Sequence, residues 1–213
     1  MSNRCCSRFI LFLVLAANAS TLFAQAPAVQ VQVYDYADMN PGSVHKVVAL
    51  TQEILAGAGL SIQVIPCRPN PVASCESKSG TTRRLVIRVL PRGPKTMDSV
   101  LRPPLARSIA GPEGGMYASV FLSRIKDSPA EANVPWDIVL AYATAHEVGH
   151  LLLGADAHTA RGVMKASWDR EDYEAMYQRQ LHFDDGQSRK LASLYGGSPR
   201  ADVTSEPAIA QPR

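Results

Sequence analysis

Two histidines and a glutamate form the group of residues in this chain that is best suited to chemistry. His146 and His150 are four residues apart, and Glu147 directly follows the first of them. On an α-helix a step of four residues brings two side chains to the same face, one turn apart. Two imidazoles placed in this way can bind one zinc ion, and the glutamate then lies beside a coordination position open to water. The spacing therefore predicts a Zn²⁺ site with Glu147 as a general base.

The residues around this motif predict that its helix is buried. Apolar residues dominate both the segment before it, 138–145, and the segment after it, 151–153. A helix that is apolar on nearly all sides is typical of a protein interior. A carboxylate is costly there unless a partner compensates its charge. A bound cation would be such a partner for Glu147, and this favours a metal site over histidines that decorate a helix by coincidence.

The first 28 residues are typical of a secretion signal. Arg4 and Arg8 precede an apolar stretch at 9–17, and alanines between 24 and 28 offer cleavage positions. The apolar stretch is shorter than the ~20 residues that a membrane span needs. We expect a secreted or periplasmic protein without stable membrane insertion after the signal is removed.

The composition predicts one folded domain and narrows the classes of partner. The chain has 213 residues, of which 46% are hydrophobic, enough for a single core. We expect this domain at 29–196, followed by a disordered tail at 197–213 that is rich in proline, serine and alanine. The net charge is only +3 and no basic run is present, so nucleic acid is not an expected partner. We expect a monomer.

Cys67 and Cys75 are the two cysteines that follow the signal, and they bracket a loop with two prolines. In an oxidising compartment such a pair can close the loop as a disulfide. Metal binding by these thiols is the alternative. It is less favoured, because thiolate ligands usually occur as closely spaced pairs.

Apolar patterning predicts the elements that position the helix with His146 and His150, which we call the metal helix. A strand–helix–strand order near the N-terminus favours a right-handed crossover and an α/β fold with a mostly parallel sheet. The predicted strands are 29–34, 60–65, 85–90 and 116–122, and the predicted helices are 41–57, 135–153, 169–179 and 185–195.

The segment at 91–115 is rich in proline and glycine, and it is predicted to be a surface loop. The strand at 116–122 follows this loop and precedes the metal helix. It could be an edge strand beside the site, on which an extended peptide can lie. An ordinary interior strand explains the same pattern equally well.

The chain resembles the metzincins, a group within the zincin metallopeptidases. The resemblance is carried by about twenty residues, namely His146, Glu147, His150, Gly154, His158 and the turn Gly162-Val163-Met164. It implies a zincin-like fold with a backing helix, an active-site helix and C-terminal helices. It also implies a third zinc ligand after a glycine turn and a methionine turn, with Met164 beneath the metal. Exported bacterial zincin-like proteins without assigned substrates are similar as well.

The spacing departs from the metzincin pattern, and this leaves two candidates for the third ligand. That pattern has glycine three residues and the ligand six residues after the second histidine, where this chain has Leu153 and Asp156. Gly154 and His158 come four and eight residues after it. Either the turn is longer and His158 binds, as in matrixin-like members, or Asp156 binds in its place. We favour His158, because a longer helix needs extra chain to bring the ligand back.

A gluzincin-like site is a further alternative, in which a glutamate on a later helix completes the metal site. Glu171 and Glu174 lie at about the right distance along the chain. The aspartate that those families place four residues later is absent, since Ala175 and Gln178 occupy these positions. Two glutamates in a solvated first helical turn are the favoured interpretation.

These residues together predict a secreted zinc metallopeptidase that hydrolyses peptide or protein substrates. In this hypothesis His146, His150 and His158 bind Zn²⁺ and Glu147 is the catalytic base. One alternative is a zinc-stabilised binding protein with a catalytically silent zincin fold. Another is a zinc amidase or esterase that acts on a small molecule.

Overall fold

The computed structural model describes residues 27–69, 75, 83–95, 103–128 and 133–196. The predicted secretion signal lies outside the described residues, except for its last two positions, and the predicted tail lies outside them entirely. Among the described residues, no helix has both the length and the apolar composition that a membrane span requires.

In the described part of the chain, five strands form one sheet, in the order β2-β1-β3-β5-β4. Four of them are parallel, and β4 pairs antiparallel with β5 at one edge. This confirms the predicted α/β class with a mixed, mostly parallel sheet. The strands are β1 (Val29–Asp35), β2 (Ile62–Cys67), β3 (Arg83–Leu90), β4 (Ala106–Gly111) and β5 (Gly114–Phe121).

Within the described segments, five helices accompany the sheet, and four of them confirm predicted helices. Asn40 caps the first helix by accepting a hydrogen bond from Ser43 N at 2.8 Å. Asp169 caps the fourth through a reciprocal pair of hydrogen bonds with Asp172. The helices are α1 (Pro41–Gly57), α2 (Leu122–Asp127), α3 (Trp136–Leu153), α4 (Arg170–Tyr177) and α5 (Asp185–Tyr195).

The prediction of a surface loop at 91–115 is wrong from residue 106 onward. Residues 106–111 form β4, and the strand expected at 116–122 begins at Gly114 and lies between β3 and β4. The strand beside the site is therefore β4. Its side chains alternate only between half-buried and exposed, so the sequence carries no apolar period of a strand. Leu122 belongs to α2, a six-residue helix too short to show a helical period.

The core lies between α3 and the sheet. α3 contacts α1, α2, α4 and α5 as well as β3, β4 and β5, and its residues Val139, Leu140 and Leu151 are fully buried. This confirms that the helix carrying the metal motif is a core helix. Cys67 and Cys75 form the predicted disulfide, and Gln32 Nε2 donates a hydrogen bond to the Cys75 carbonyl at 2.6 Å.

Candidate metal centre

Three histidine nitrogens converge at the C-terminal half of α3. His150 Nε2 lies 3.1 Å from His146 Nε2, one helical turn earlier. It lies equally close, at 3.1 Å, to His158 Nε2 in the loop after the helix. The ligand atoms of all three lie within 4.8 Å of one another. The structure thus brings together the three histidines that the sequence predicted as ligands.

The turn after α3 brings His158 back to the helix. Gly154 ends α3 with φ of 106°, a conformation that favours glycine, and its N–H donates to the His150 carbonyl at 3.0 Å. A Cβ at Gly154 would lie 2.4 Å from the carbonyl oxygen of Pro112, in the turn between β4 and β5. Ala155 N then donates to the Gly111 carbonyl at 3.1 Å. The loop that carries His158 is therefore held against the β4–β5 hairpin by its own backbone.

Two backbone carbonyls fix the tautomers of the helical histidines. His146 Nδ1 lies 2.7 Å from the Val163 carbonyl, and His150 Nδ1 lies 3.2 Å from the Gly154 carbonyl. A carbonyl only accepts, so each neutral ring carries its hydrogen on Nδ1 and an unshared electron pair on Nε2. Two such pairs 3.1 Å apart repel each other unless a cation lies between them.

These residues fit a zinc ion. Tetrahedral zinc with Zn–N bonds of about 2.05 Å holds its nitrogen ligands about 3.3 Å apart, close to the spacing found here. Burial above all, together with the neighbouring imidazoles, lowers the pKa of His146 to about 4, whereas the bond to Val163 opposes this shift. Burial also lowers the pKa of His150. Both rings are therefore neutral at physiological pH, as metal ligands must be.

The turn that carries Met164 packs against α3 next to His150. Met164 is fully buried, and a Cβ added at Gly149 of α3 would lie 2.3 Å from its sulfur. The turn is held by Val163 N, which donates to the His182 carbonyl at 2.9 Å, and by Thr159 N, which donates to the Met164 carbonyl at 3.0 Å. Gly149 therefore provides the space that Met164 fills.

Glu147 points toward β4 rather than into the group of ligands. The residue is only 5% exposed, and burial raises the pKa of its carboxyl to about 7. A side-chain hydrogen bond from Ser108 on β4 opposes this shift by favouring the ionised form. Among the described residues Oε2 has no hydrogen-bond partner. A carboxyl with a pKa near neutrality and a free oxygen is suited to accept and return a proton.

The three histidines and Glu147 line an open cleft of about 1150 Å³. β4 forms one wall, through Ala106 and Ser108 among others, and the segment 165–170 forms the opposite wall. In that second wall, Trp168 lies edge-on to His146, with ring centroids 5.6 Å apart. Ser108 and Trp168 are not predicted from the sequence, because nothing in their spacing connects them with the histidines.

The other candidate ligands lie apart from the histidine group. Asp156 is exposed and does not belong to the set of residues that could share a metal ion. Glu171 is exposed in the first turn of α4, as the favoured interpretation predicted. Glu174 accepts a hydrogen bond from Arg170 Nε at 2.9 Å. The geometry thus favours His158 among the candidates for the third ligand.

Comparisons with known proteins connect the chain to others through its fold. No protein-family profile matches the chain, and no curated protein sequence is significantly similar to it. Among solved structures, the crystal structure of archaemetzincin from Methanopyrus kandleri is similar, with a TM-score of 0.51 and 15% sequence identity. The similarity covers 81% of this chain and 98% of that chain. The fold is therefore zincin-like, as predicted.

Proposed function

We propose that this chain is an exported zinc-dependent metallopeptidase. The observation that carries the proposal is the convergence of three histidine Nε2 atoms beside a buried carboxylate, at the floor of an open cleft. Two of these nitrogens carry unshared electron pairs, so the group is ready to hold a cation. The zincin-like fold supports this assignment.

The chemistry of each side chain suggests its role in the proposed reaction. Bound to His146, His150 and His158, zinc would supply Lewis acidity, which acidifies a water molecule and polarises the carbonyl of the scissile bond. Glu147 accepts a proton from the attacking water at its carboxylate and returns it to the nitrogen of the leaving amine. Ser108 favours the ionised form of this carboxylate.

The edge of the sheet supports a peptide as the substrate. β4 ends the sheet beside the cleft, so one side of its backbone is not paired within the sheet. Unpaired backbone groups of an edge strand can bind an extended peptide by strand addition. The cleft is also large for a small molecule, since ligand pockets usually measure about 300–1,000 Å³.

The proposal is tested with the exported full chain, its metal content and unfolded protein substrates. The wild type should contain one zinc ion per chain and cleave casein. Glu147→Gln should lower kcat by about a hundredfold to ten-thousandfold, because a general base is removed. Its zinc content should not change. Glu171→Gln is the matched control, since it removes an exposed glutamate outside the cleft, and it should keep full activity.

Two outcomes would contradict the peptidase. A zinc-loaded wild type that leaves casein and short peptides intact would identify a zinc-stabilised binding protein, or an amidase or esterase if small esters or amides are cleaved. Undiminished cleavage by Glu147→Gln would show that the activity belongs to another site or to a contaminant.

A further inference from the structure

The sheet has a face that none of the described helices covers. The helices gather around α3 on one side, where Leu85, Ile87 and Val89 of β3 are fully buried. Because side chains alternate along a strand, the intervening residues point to the other side. We call this side, over β3, β5 and β4, the open face. It carries Arg84, Val86, Arg88, Tyr117, Ser119, Arg107 and Ile109.

The open face is basic. Arg84, Arg88 and Arg107 are all exposed, and the three strands of the open face contain no acidic residue. The register places Arg88 and Arg107 on either side of Ser119, so their Cα atoms are about 10 Å apart. Arg88 Nη2 donates to Ser119 Oγ at 3.0 Å, and that bond leaves its charge in place. The overall charge of +3 does not reveal this local concentration.

An apolar row lies beside these arginines. Val86 pairs with Tyr117, which pairs with Ile109 on the edge strand. Tyr117 is 45% exposed and Ile109 is 67% exposed. This row lies between Arg84 and the row that contains Arg88 and Arg107. Exposed aliphatic and tyrosine side chains flanked by guanidinium groups are typical of surfaces that contact the headgroup region of a bilayer.

We propose that the open face docks on a membrane surface that contains anionic phospholipid. The guanidinium groups bind phosphate oxygens, and a planar fork of donors suits that ligand better than an ammonium does. Ile109 and Tyr117 then lie at the level of the headgroups, without insertion of any helix. His146, Glu147 and His150 belong to α3, on the helix side of the sheet and away from the open face, whereas Arg107 of β4 also lines the cleft. This proposal does not depend on the metal or on peptidase activity.

A nucleic acid is the rival polyanion, and the apolar row argues against it. Binding of single strands relies on aromatic side chains that stack on successive bases. Here two of the three residues in the row, Val86 and Ile109, are aliphatic. A lipid surface uses such side chains, whereas a base does not stack on them.

The test is co-sedimentation of the full chain with vesicles of phosphatidylcholine, with and without phosphatidylglycerol. The wild type should bind only the vesicles with phosphatidylglycerol, and ~0.1 M salt should weaken the binding. Arg84→Gln with Arg88→Gln should lower the partition coefficient about tenfold or more. The matched control is Arg189→Gln with Lys190→Gln, which removes the same charge from exposed positions on α5 and should bind as the wild type does. Near-ultraviolet circular dichroism checks that each variant is folded.

Three results would overturn the proposal. The wild type could bind neither vesicle, or both equally. The α5 control could lose as much binding as the variant of the open face, which would indicate diffuse electrostatic attraction. Finally, a single-stranded oligonucleotide could bind in a manner that depends on Arg84 and Arg88 while the vesicles do not, which would assign the face to nucleic acid.

Discussion

Ser108 on the edge strand and Glu147 in the middle of α3 line the same cleft, and the Ser108 hydroxyl lowers the pKa of the Glu147 carboxyl. This pair connects the strand that would hold a peptide to the residue that would move the proton. Burial pushes the pKa of Glu147 upward, and Ser108 limits the rise to about 7 by stabilising the charged form. The sheet edge therefore tunes the proposed base as well as lining the cleft.

Removing this hydroxyl should shift the pH dependence of catalysis. Glu147 must be ionised to accept a proton, so kcat/KM falls on the acidic side of its pKa. In Ser108→Ala the pKa of Glu147 rises, and the acid limb should move about one to two units toward higher pH, since a hydrogen bond to a charge contributes about 1.5–3 kcal/mol. Ser193→Ala on the exposed side of α5 is the control. An acid limb that stays in place would show that Ser108 does not act on Glu147.

The strands and helices that position the site can be predicted from the sequence where buried side chains recur with the period of a strand or a helix. β3 alternates buried and less buried positions, and α3 combines an apolar surface with a glycine stop, so each has a local signature. β4 has none, because Ala106, Ser108 and Ala110 are small and only half-buried. Its pairing is set by the tight turn before β5 and by contacts with α3, which depend on the completed fold.

The same distinction separates the predicted site residues from the missed ones. His146, Glu147 and His150 belong to one helix, so helical geometry alone places them together. His158 was suggested by the resemblance and by the longer turn after Gly154. Ser108 and Trp168 approach the site from two other segments, about 40 residues before and 20 residues after α3's histidines, and no local pattern encodes that approach.

Gly149 should not tolerate a side chain, because Met164 occupies the space. A Cβ there would lie 2.3 Å from the Met164 sulfur and 3.1 Å from Phe183, and all of these groups are buried. We expect Gly149→Ala to lower the free energy of unfolding by about 1–3 kcal/mol through overpacking. Gly57→Ala in α1 has nothing within 4 Å and should be neutral or slightly stabilising. Urea unfolding of both variants measures the difference, and equal effects would contradict the packing argument.

Two substitutions decide which residue completes the metal site. His158→Ala should weaken zinc binding more than about a hundredfold, beyond the effect usual for residues that only orient a ligand. Asp156→Ala should leave the affinity unchanged, because this exposed side chain lies outside the histidine group. Competition with a zinc-binding dye measures both affinities. Loss of zinc from Asp156→Ala but not from His158→Ala would reverse the assignment.

Zinc binding should release a proton from Glu147. In the metal-free protein its pKa is about 7, so the carboxyl is protonated at about pH 6, whereas His146, with a pKa of about 4, is already neutral. A nearby divalent cation favours the ionised carboxylate and expels that proton. The wild type should therefore release about one proton more than Glu147→Gln at about pH 6, and the difference should vanish by about pH 8.5.

Calorimetric titration of zinc in buffers of different ionisation enthalpy measures the number of protons released. The comparison with Glu147→Gln isolates the proton that Glu147 releases, because the histidines are unchanged in that variant. By linkage, the zinc affinity of the wild type should also rise more steeply with pH below about 7 than that of the variant. Equal proton release by the two proteins at about pH 6 would show that the bound metal does not act on the Glu147 carboxyl.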